Sequence, residues 1–357
     1  MSKIAVVAVV ASMALVGCGK NDDTKGSDGD SPSASADVCE EASGDGPKVG
    51  LAYDVGGQGD QSFNDSAYQG LKKAVEDLGA TCTEGEAAQD EPESAREARL
   101  QSMADAGMNP IIGVGFAYSD SVNKVAPNYP NISFGVIDGF DPDTTANPNV
   151  AYLGFAENEG SYLVGVAAAL KSKTGTIGFV GGVHNDLIKK FEAGYVAGAK
   201  SVKADIDIKI QYIEESDLSG FGDPAGGKEA AAAEFDQGAD VVYHAAGASG
   251  SGVFDAAAEA GDGMWAIGVD SDQYLTASAA AKPHILTSML KRVDTATFNM
   301  IKSVADGSPL TSYQTYDLAH DGVGYATSGG FIDDIVDQIE AAAAKIKSGE
   351  TKVPDKP

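Results

Sequence analysis

Cysteine is scarce in this chain of 357 residues: three in all, at positions 18, 39 and 82. So few exclude a fold held together by a disulfide framework. Basic residues are outnumbered, 25 Lys and Arg against 53 Asp and Glu, and the net charge of −28 speaks against a nucleic-acid partner, which wants a basic face. The acidic excess points to solubility and says nothing of what is bound. The four histidines, His184, His244, His284 and His320, lack paired metal-ligand spacing. Asp270-Ser271-Asp272 is not followed by the acidic loop and closing Glu that calcium requires, so neither metal nor cofactor is expected. Enzyme signatures fail as well. Gly113-Val114-Gly115 continues to Tyr118 and Gly250-Ser251-Gly252 to Asp255, where a dinucleotide fingerprint needs a third glycine. Gly247-Ala248-Ser249-Gly250-Ser251 ends in Ser where a nucleophile elbow needs Gly, and no phosphate-binding G-x-x-x-x-G-K-[ST] loop occurs. No catalytic residue is expected.

What the chain has is 43% apolar and only 22% charged residues, enough for a packed core, at a length that accommodates two ordinary domains. Residues 4–16, IAVVAVVASMALV, are too short a run for a bilayer but suit the core of an export signal spanning 1–17. The run ends in Leu15-Val16-Gly17-Cys18, which resembles a bacterial lipobox, in which Cys18 would be lipidated and become the first residue of the mature chain. Lipidation there would hold the protein on the outer face of the cell membrane. The Gly-, Ser- and Asp-rich stretch after Cys18 has little apolar surface to bury and reads as a disordered tether over 18–46. In an exported chain Cys39 and Cys82 either pair as a disulfide, tying the tether's end to the body, or stay as thiols.

From Lys48 onward short β-rich apolar runs alternate with helical patterns, the mark of parallel sheets covered by helices. The runs are 49–53, 110–114, 132–137, 176–180, 208–213, 240–244, 264–269 and 284–289, and Gly79, Gly107, Gly238 and Gly261 close helices between them. There are too many strands for one ordinary sheet, and the rhythm restarts after Asn147-Pro148-Asn149. The expected class is therefore α/β with two doubly wound lobes, 47–150 with 284–306 and 151–283 with 307–350.

In such sheets ligands sit beyond the carboxyl ends of the strands. Asp54, Phe116, Asp138, Gly247, Asp270 and Lys291 all fall just after an apolar run, and Phe63 and Phe191 offer flat faces for stacking. Taken singly each has a plainer role: a carboxylate after a strand often caps the next helix, and a lone Phe is usually core. Together, carboxylates, an ammonium and glycines suit a neutral ligand rich in hydroxyls.

Several strings then resemble one family. They are Asp60-Gln61-Ser62-Phe63-Asn64, Glu157-Asn158-Glu159-Gly160-Ser161-Tyr162, Gly178-Phe179-Val180-Gly181-Gly182, His244-Ala245-Ala246-Gly247 and Ile267-Gly268-Val269-Asp270-Ser271-Asp272-Gln273. They are similar, in the same order, to the basic membrane protein family, which includes purine nucleoside receptors. The resemblance implies a type I periplasmic-binding-protein-like body that binds a nucleoside between hinged lobes and delivers it to an ABC permease and its ATPase. By the same resemblance Asp54 would bond the base, Phe63 and Phe191 would sandwich it, and Asp138, Asp270 and Lys291 would hold ribose, with Gly247 giving backbone access. Asn64 and Phe116 also match the motifs, and the resemblance puts them among the ligand-binding residues. Val55 stands where some nucleoside-binding members carry an amide. The chain is expected to act as a monomer. The alternatives are a binding protein for a sugar or another small polar metabolite, and a secreted nucleoside hydrolase.

Overall fold

The computed structural model describes residues 38–140 and 147–357. The expected export signal, Cys18 and most of the tether lie outside the described residues. The tether's far end does not. Val38–Glu41 forms a helical turn packed on the core, Cys39 is joined to Cys82 by a disulfide, and the Gly46 amide donates to the Gly79 carbonyl at 2.8 Å. Residues 38–46 therefore belong to the body, because Val38 and Cys39 supply the apolar contact that the rest of the stretch lacks.

Strands are numbered in chain order. The first sheet contains β1 (Lys48–Tyr53), β2 (Thr81–Glu86), β3 (Ile111–Val114), β4 (Phe134–Ile137), β5 (Val150–Phe155) and β11 (Ser312–Tyr316). The second contains β6 (Thr176–Val183), β7 (Asp207–Glu214), β8 (Val241–Ala245), β9 (Trp265–Asp270), β10 (Ile285–Lys291) and β12 (Val323–Tyr325). Their orders are β11-β5-β4-β3-β1-β2 and β12-β10-β9-β8-β6-β7. Every pairing is parallel except β10 with β12. The two lobes thus share one winding. In each, the opening strand (β1 or β6) lies between the second and third, and this reversal of strand order leaves a crevice at the carboxyl ends. The central strands are buried along their length apart from Lys48 at the start of β1, as expected where helices cover both faces of a parallel sheet.

Four strands escape the apolar-run pattern. β2 (TCTEGE) and β11 (SYQTY) are half-exposed polar edge strands, and β12 is only three residues long. β5 is apolar, but it pairs with β4, so the chain leaves the first lobe at Ala156 and not near residue 149. The lobe boundary near 284–306 also moves. β10 pairs with β9 in the second sheet, whereas the helix Val293–Ala305 packs on Phe63–Leu78 of the first lobe, and β11 returns to pair with β5. The chain therefore crosses between lobes three times, around Ala156, Arg292 and Asp317.

The helix Glu157–Lys171, which opens the second lobe, lies very close to Asp186–Val202. A Cβ on Gly198 would stand 2.0 Å from the Tyr162 carbonyl oxygen, one on Gly194 2.1 Å from that of Asn158, and one on Gly165 2.3 Å from that of Tyr195. Only glycine permits this approach. It fixes the helix that carries Phe191 against the one that carries Glu157, and both residues face the space between the lobes.

Candidate functional site

On the first lobe the site begins where β1 ends. The Asp54 amide donates to Asn64 Oδ1 at 3.0 Å, and Asp54 Oδ1 accepts from the Val55 amide at 2.8 Å. Asp60 gathers the start of the next helix: its carboxylate accepts from the amides of Ser62, Asn64 and Asp65 at 2.9, 2.8 and 3.1 Å, and from the Asn64 side chain at 3.1 Å. The loop so pinned projects Phe63 into the cleft. After β3, Gly115 has φ 104°, and a Cβ there would fall 2.1 Å from Asp54 Oδ2, so the carboxylate needs glycine opposite it.

The second lobe supplies Gly247 after β8, Asp270 at the end of β9, Lys291 at the end of β10, and Phe191 from its helix. Lys291 is almost wholly buried. Its ammonium lies 2.6 Å from Asp138 Oδ2 of the first lobe and 3.3 Å from Glu157 Oε1, and sits 5.1, 4.9 and 5.4 Å from the ring centres of Phe63, Phe155 and Phe191. Ion pair and ring faces together offset the loss of water around the charge.

Further bonds hold the lobes together. Ser62 Oγ lies 2.6 Å from Asp270 Oδ2, Ser271 Oγ donates to the Ser62 carbonyl at 3.1 Å, and Gln273 Nε2 donates to the Gln61 carbonyl at 3.1 Å. Gln273 is held for this by the Val269 amide, which donates to its Oε1 at 2.8 Å. The conformation is closed.

Between the lobes lies a cleft of about 570 Å³, counting its opening. All nine residues expected at the site line it: Asp54, Phe63, Asn64, Phe116, Asp138, Phe191, Gly247, Asp270 and Lys291. It is lined also by Leu187, Ile188 and Phe221, which the sequence pattern did not single out. Leu187 and Ile188 read as the apolar side of a helix, and Phe221 ends a single 3₁₀ turn, Leu218–Phe221, whose placement depends on the lobe as a whole. Asn64 faces the cleft with its amide already bonded to Asp54 and Asp60, which makes it a buttress of the wall.

Burial dominates the electrostatics. It pushes the Asp54 carboxyl up to about 6, against the lowering pull of the Val55 amide and Arg96. Asp270 is likewise raised to about 6 by burial, against Lys291 and the Ser62 hydroxyl. Asp138 is raised by burial despite its pairing with Lys291. Burial alone would lower Lys291, but Asp138, Glu157 and Asp270 together raise it, so it stays cationic. Asp138 Oδ1 is buried and has no hydrogen-bond partner among the described residues. A site of this kind, with acceptor oxygens, one fixed cation and aromatic walls, favours a hydroxyl-bearing ligand with a flat ring.

The other histidines and acids fall elsewhere. His184, at the end of β6, pairs with Glu215 at 3.0 Å on the surface. His244 is fully buried on β8, packed so tightly under Gly250 that a Cβ there would meet its ring at 1.9 Å, and burial holds its pKa down at about 3. Asp272 accepts from Ser328 Oγ at 2.6 Å. Among the described residues no three His, Cys, Asp or Glu side chains are placed to hold a metal ion, and no helix is long and apolar enough to cross a membrane.

Comparison with known proteins gives consistent results. Residues 48–357 match the Bmp family profile, described as "ABC transporter substrate-binding protein PnrA-like". The chain is 34% identical to the ABC transporter nucleoside-binding protein BmpA of Lactococcus lactis over 375 aligned positions, covering 99% of this chain and 98% of the relative. It is 33% identical to basic membrane protein A of Borreliella burgdorferi, covering 86% and 88%. Among solved structures, an ABC transporter solute-binding protein from Aeropyrum pernix superposes with a TM-score of 0.73 at 27% identity, covering 86% of this chain and 94% of the other. A dimeric Lac repressor shares the fold alone, with a TM-score of 0.54 at 13% identity over 78% of this chain and 97% of the other.

Proposed function

The chain belongs to the Bmp family of PnrA-like ABC transporter substrate-binding proteins, and on that premise we propose that it binds a purine nucleoside between its lobes and hands it to a membrane permease. The observation that carries this reading is the meeting of Asp138, Asp270 and Lys291 with Phe63 and Phe191 in one closed cleft, the Lys291 ammonium lying over both rings. The carboxylates accept from ribose hydroxyls, with Asp138 Oδ1 an acceptor that has no partner among the described residues, and Lys291 donates. The rings sandwich the base, and Asp54 bonds its edge, while Gly247 lets backbone approach the sugar. Phe116 closes the wall beside them. The name of the Lactococcus lactis relative supports a nucleoside as the class of ligand.

The mechanism is binding and release, with no bond broken in the ligand. The lobes turn about the three crossovers, and ligand favours the closed form because only there do residues of both lobes reach it. The closed form is what a permease with its ATPase would recognise. Lipidation of Cys18 would hold the monomer at the outer face of the membrane, with the segment up to Ala36 as tether. The reading is tested by thermal unfolding with adenosine, guanosine, inosine, cytidine, uridine, ribose and glucose. A purine nucleoside at 100 times its Kd adds about 2.7 kcal/mol of apparent stability. Stabilisation by glucose and not by any nucleoside would replace the reading with that of a sugar-binding protein.

A further inference from the structure

Where Asp54 lines the cleft, a cluster of charged side chains stands behind it. Behind Asp54, outside the cavity, helix Glu93–Asp105 places Arg96 with its side chain only 7% exposed and Nη2 4.0 Å from Asp54 Oδ1. Arg99, one turn on, takes Glu91 with both nitrogens, at 2.9 and 2.7 Å, leaving Arg96 a looser 3.6 Å contact with the same carboxylate. Arg96 and Arg99 are thus two cations against Glu91, and the buried cluster is neutral only when Asp54 is ionised. Asp138, the other acid that acts on Asp54, has its charge met by Lys291, and Tyr118 beneath Arg96 gives its hydroxyl proton to the Tyr53 carbonyl at 3.0 Å.

We infer that Arg96 is a positioning residue which keeps Asp54 an acceptor-only carboxylate, so that the site prefers 6-oxopurine nucleosides, guanosine above inosine, over adenosine. The inference rests on the nucleoside reading and on Asp54 meeting the ring edge. A 6-oxopurine presents N1–H to a carboxylate, and guanine adds a parallel 2-amino donor, making a two-pronged match. Adenine presents one amino donor beside the N1 lone pair, which faces the second carboxylate oxygen and repels it. Val55 offers no side-chain amide to rescue the adenine edge, and the Asn64 amide is already taken by Asp54 and Asp60. A carboxyl that titrates at about 6 fits this, since acid converts it to a group that both donates to N1 and accepts from the 6-amino group.

The test is calorimetric titration of guanosine, inosine and adenosine at pH 7.5 and pH 5 into the full chain, into Asp54→Asn, and into Arg96→Gln checked for folding by circular dichroism. The wild-type chain should bind guanosine about tenfold or more tighter than adenosine at pH 7.5 and less selectively at pH 5. Asp54→Asn, whose amide both donates and accepts, should shrink or invert the ratio at pH 7.5. Arg96→Gln should move the loss of selectivity to higher pH, which a purely structural role for Arg96 would not do. Equal or tighter binding of adenosine by wild type at pH 7.5, or an unchanged ratio in Asp54→Asn, overturns the inference and leaves nucleoside binding intact. A chain that binds none of the three overturns both.

Discussion

Asp138 and Asp270 occupy equivalent points of the two lobes, each at the end of the fourth strand, and each has a left-handed backbone, φ 58° and 65°. Aspartate is among the few non-glycine residues that take this conformation readily, because its short side chain bonds locally. The shared geometry turns both carboxylates inward at the crevice, so the two sheets present matching acceptors from opposite sides. Asn tolerates the same backbone, which makes Asp138→Asn and Asp270→Asn clean tests. Each is expected to keep its fold and lose about 1 to 3 kcal/mol of nucleoside affinity by calorimetry. Unchanged affinity in both would remove them from the site.

Binding should also move protons. Asp54 and Asp270 titrate at about 6 in the closed protein, and a ligand that donates hydrogen bonds to their ionised forms lowers both values. Ligand binding at pH 5 to 6 therefore releases protons, and affinity rises as pH increases through that window. Titrations at pH 5.5 in buffers of different ionisation heats should show net release for the preferred nucleoside. Net uptake would contradict this.

His244 has the opposite sign in stability. Its pKa falls from 6.5 in the unfolded chain to about 3 in the folded one, so the unfolded state binds the extra proton between those values. The contribution of the neutral ring is complete above pH 6.5 and is lost as pH falls below it. Asp54 and Asp270, with raised values, act in the other direction between about pH 4 and 6, so total stability does not isolate the histidine. The difference between wild type and His244→Gln does: in urea unfolding it should shrink steadily from pH 7 to pH 5.

The contact between helices Glu157–Lys171 and Asp186–Val202 tolerates no side chain at its centre. Gly198→Val would drive a branched group into the Tyr162 carbonyl, and destabilisation of about 3 kcal/mol or more is expected in urea, with reduced binding because Phe191 shifts with its helix. Gly324→Ala, at a glycine where an added Cβ would meet nothing within 4 Å and the backbone is not left-handed, should cost far less and leave binding intact.

The disulfide can be separated from the site. Cys39 and Cys82 are 43 positions apart, and opening a loop of that length costs about 2 to 4 kcal/mol. Cys39→Ser with Cys82→Ser should lower the melting temperature by several degrees without changing nucleoside affinity. A large loss of affinity would show that this edge of the sheet supports the cleft.

Much of this arrangement was legible in the sequence, for a physical reason. Strands buried on both faces are written as apolar runs, and the rule that ligands gather at carboxyl ends turns a list of such runs into a list of cleft residues. Asp54, Asp138, Asp270 and Lys291 were found this way. What was not legible depends on pairing. β10 is as apolar as its neighbours, and nothing in Ile285–Lys291 says which sheet it joins; β11 and β2 are polar edges whose place is set by a partner strand. Ser62 and Gln273 stand inside strings that resemble the family, but they form the latch between lobes through a carboxylate and a carbonyl supplied by the opposite lobe, so nothing local marks that role. Leu187, Ile188 and Phe221 look like ordinary core residues until the lobes face each other.

Because the chain crosses between lobes three times, neither lobe is a continuous stretch of polypeptide. As the protein emerges from the ribosome, the edge of the first sheet beyond β5 must wait until nearly the whole second lobe has been synthesised and β11 appears. A fragment that ends between β5 and β11 would leave the β5 edge of the first sheet unpaired, prone to stick to other chains.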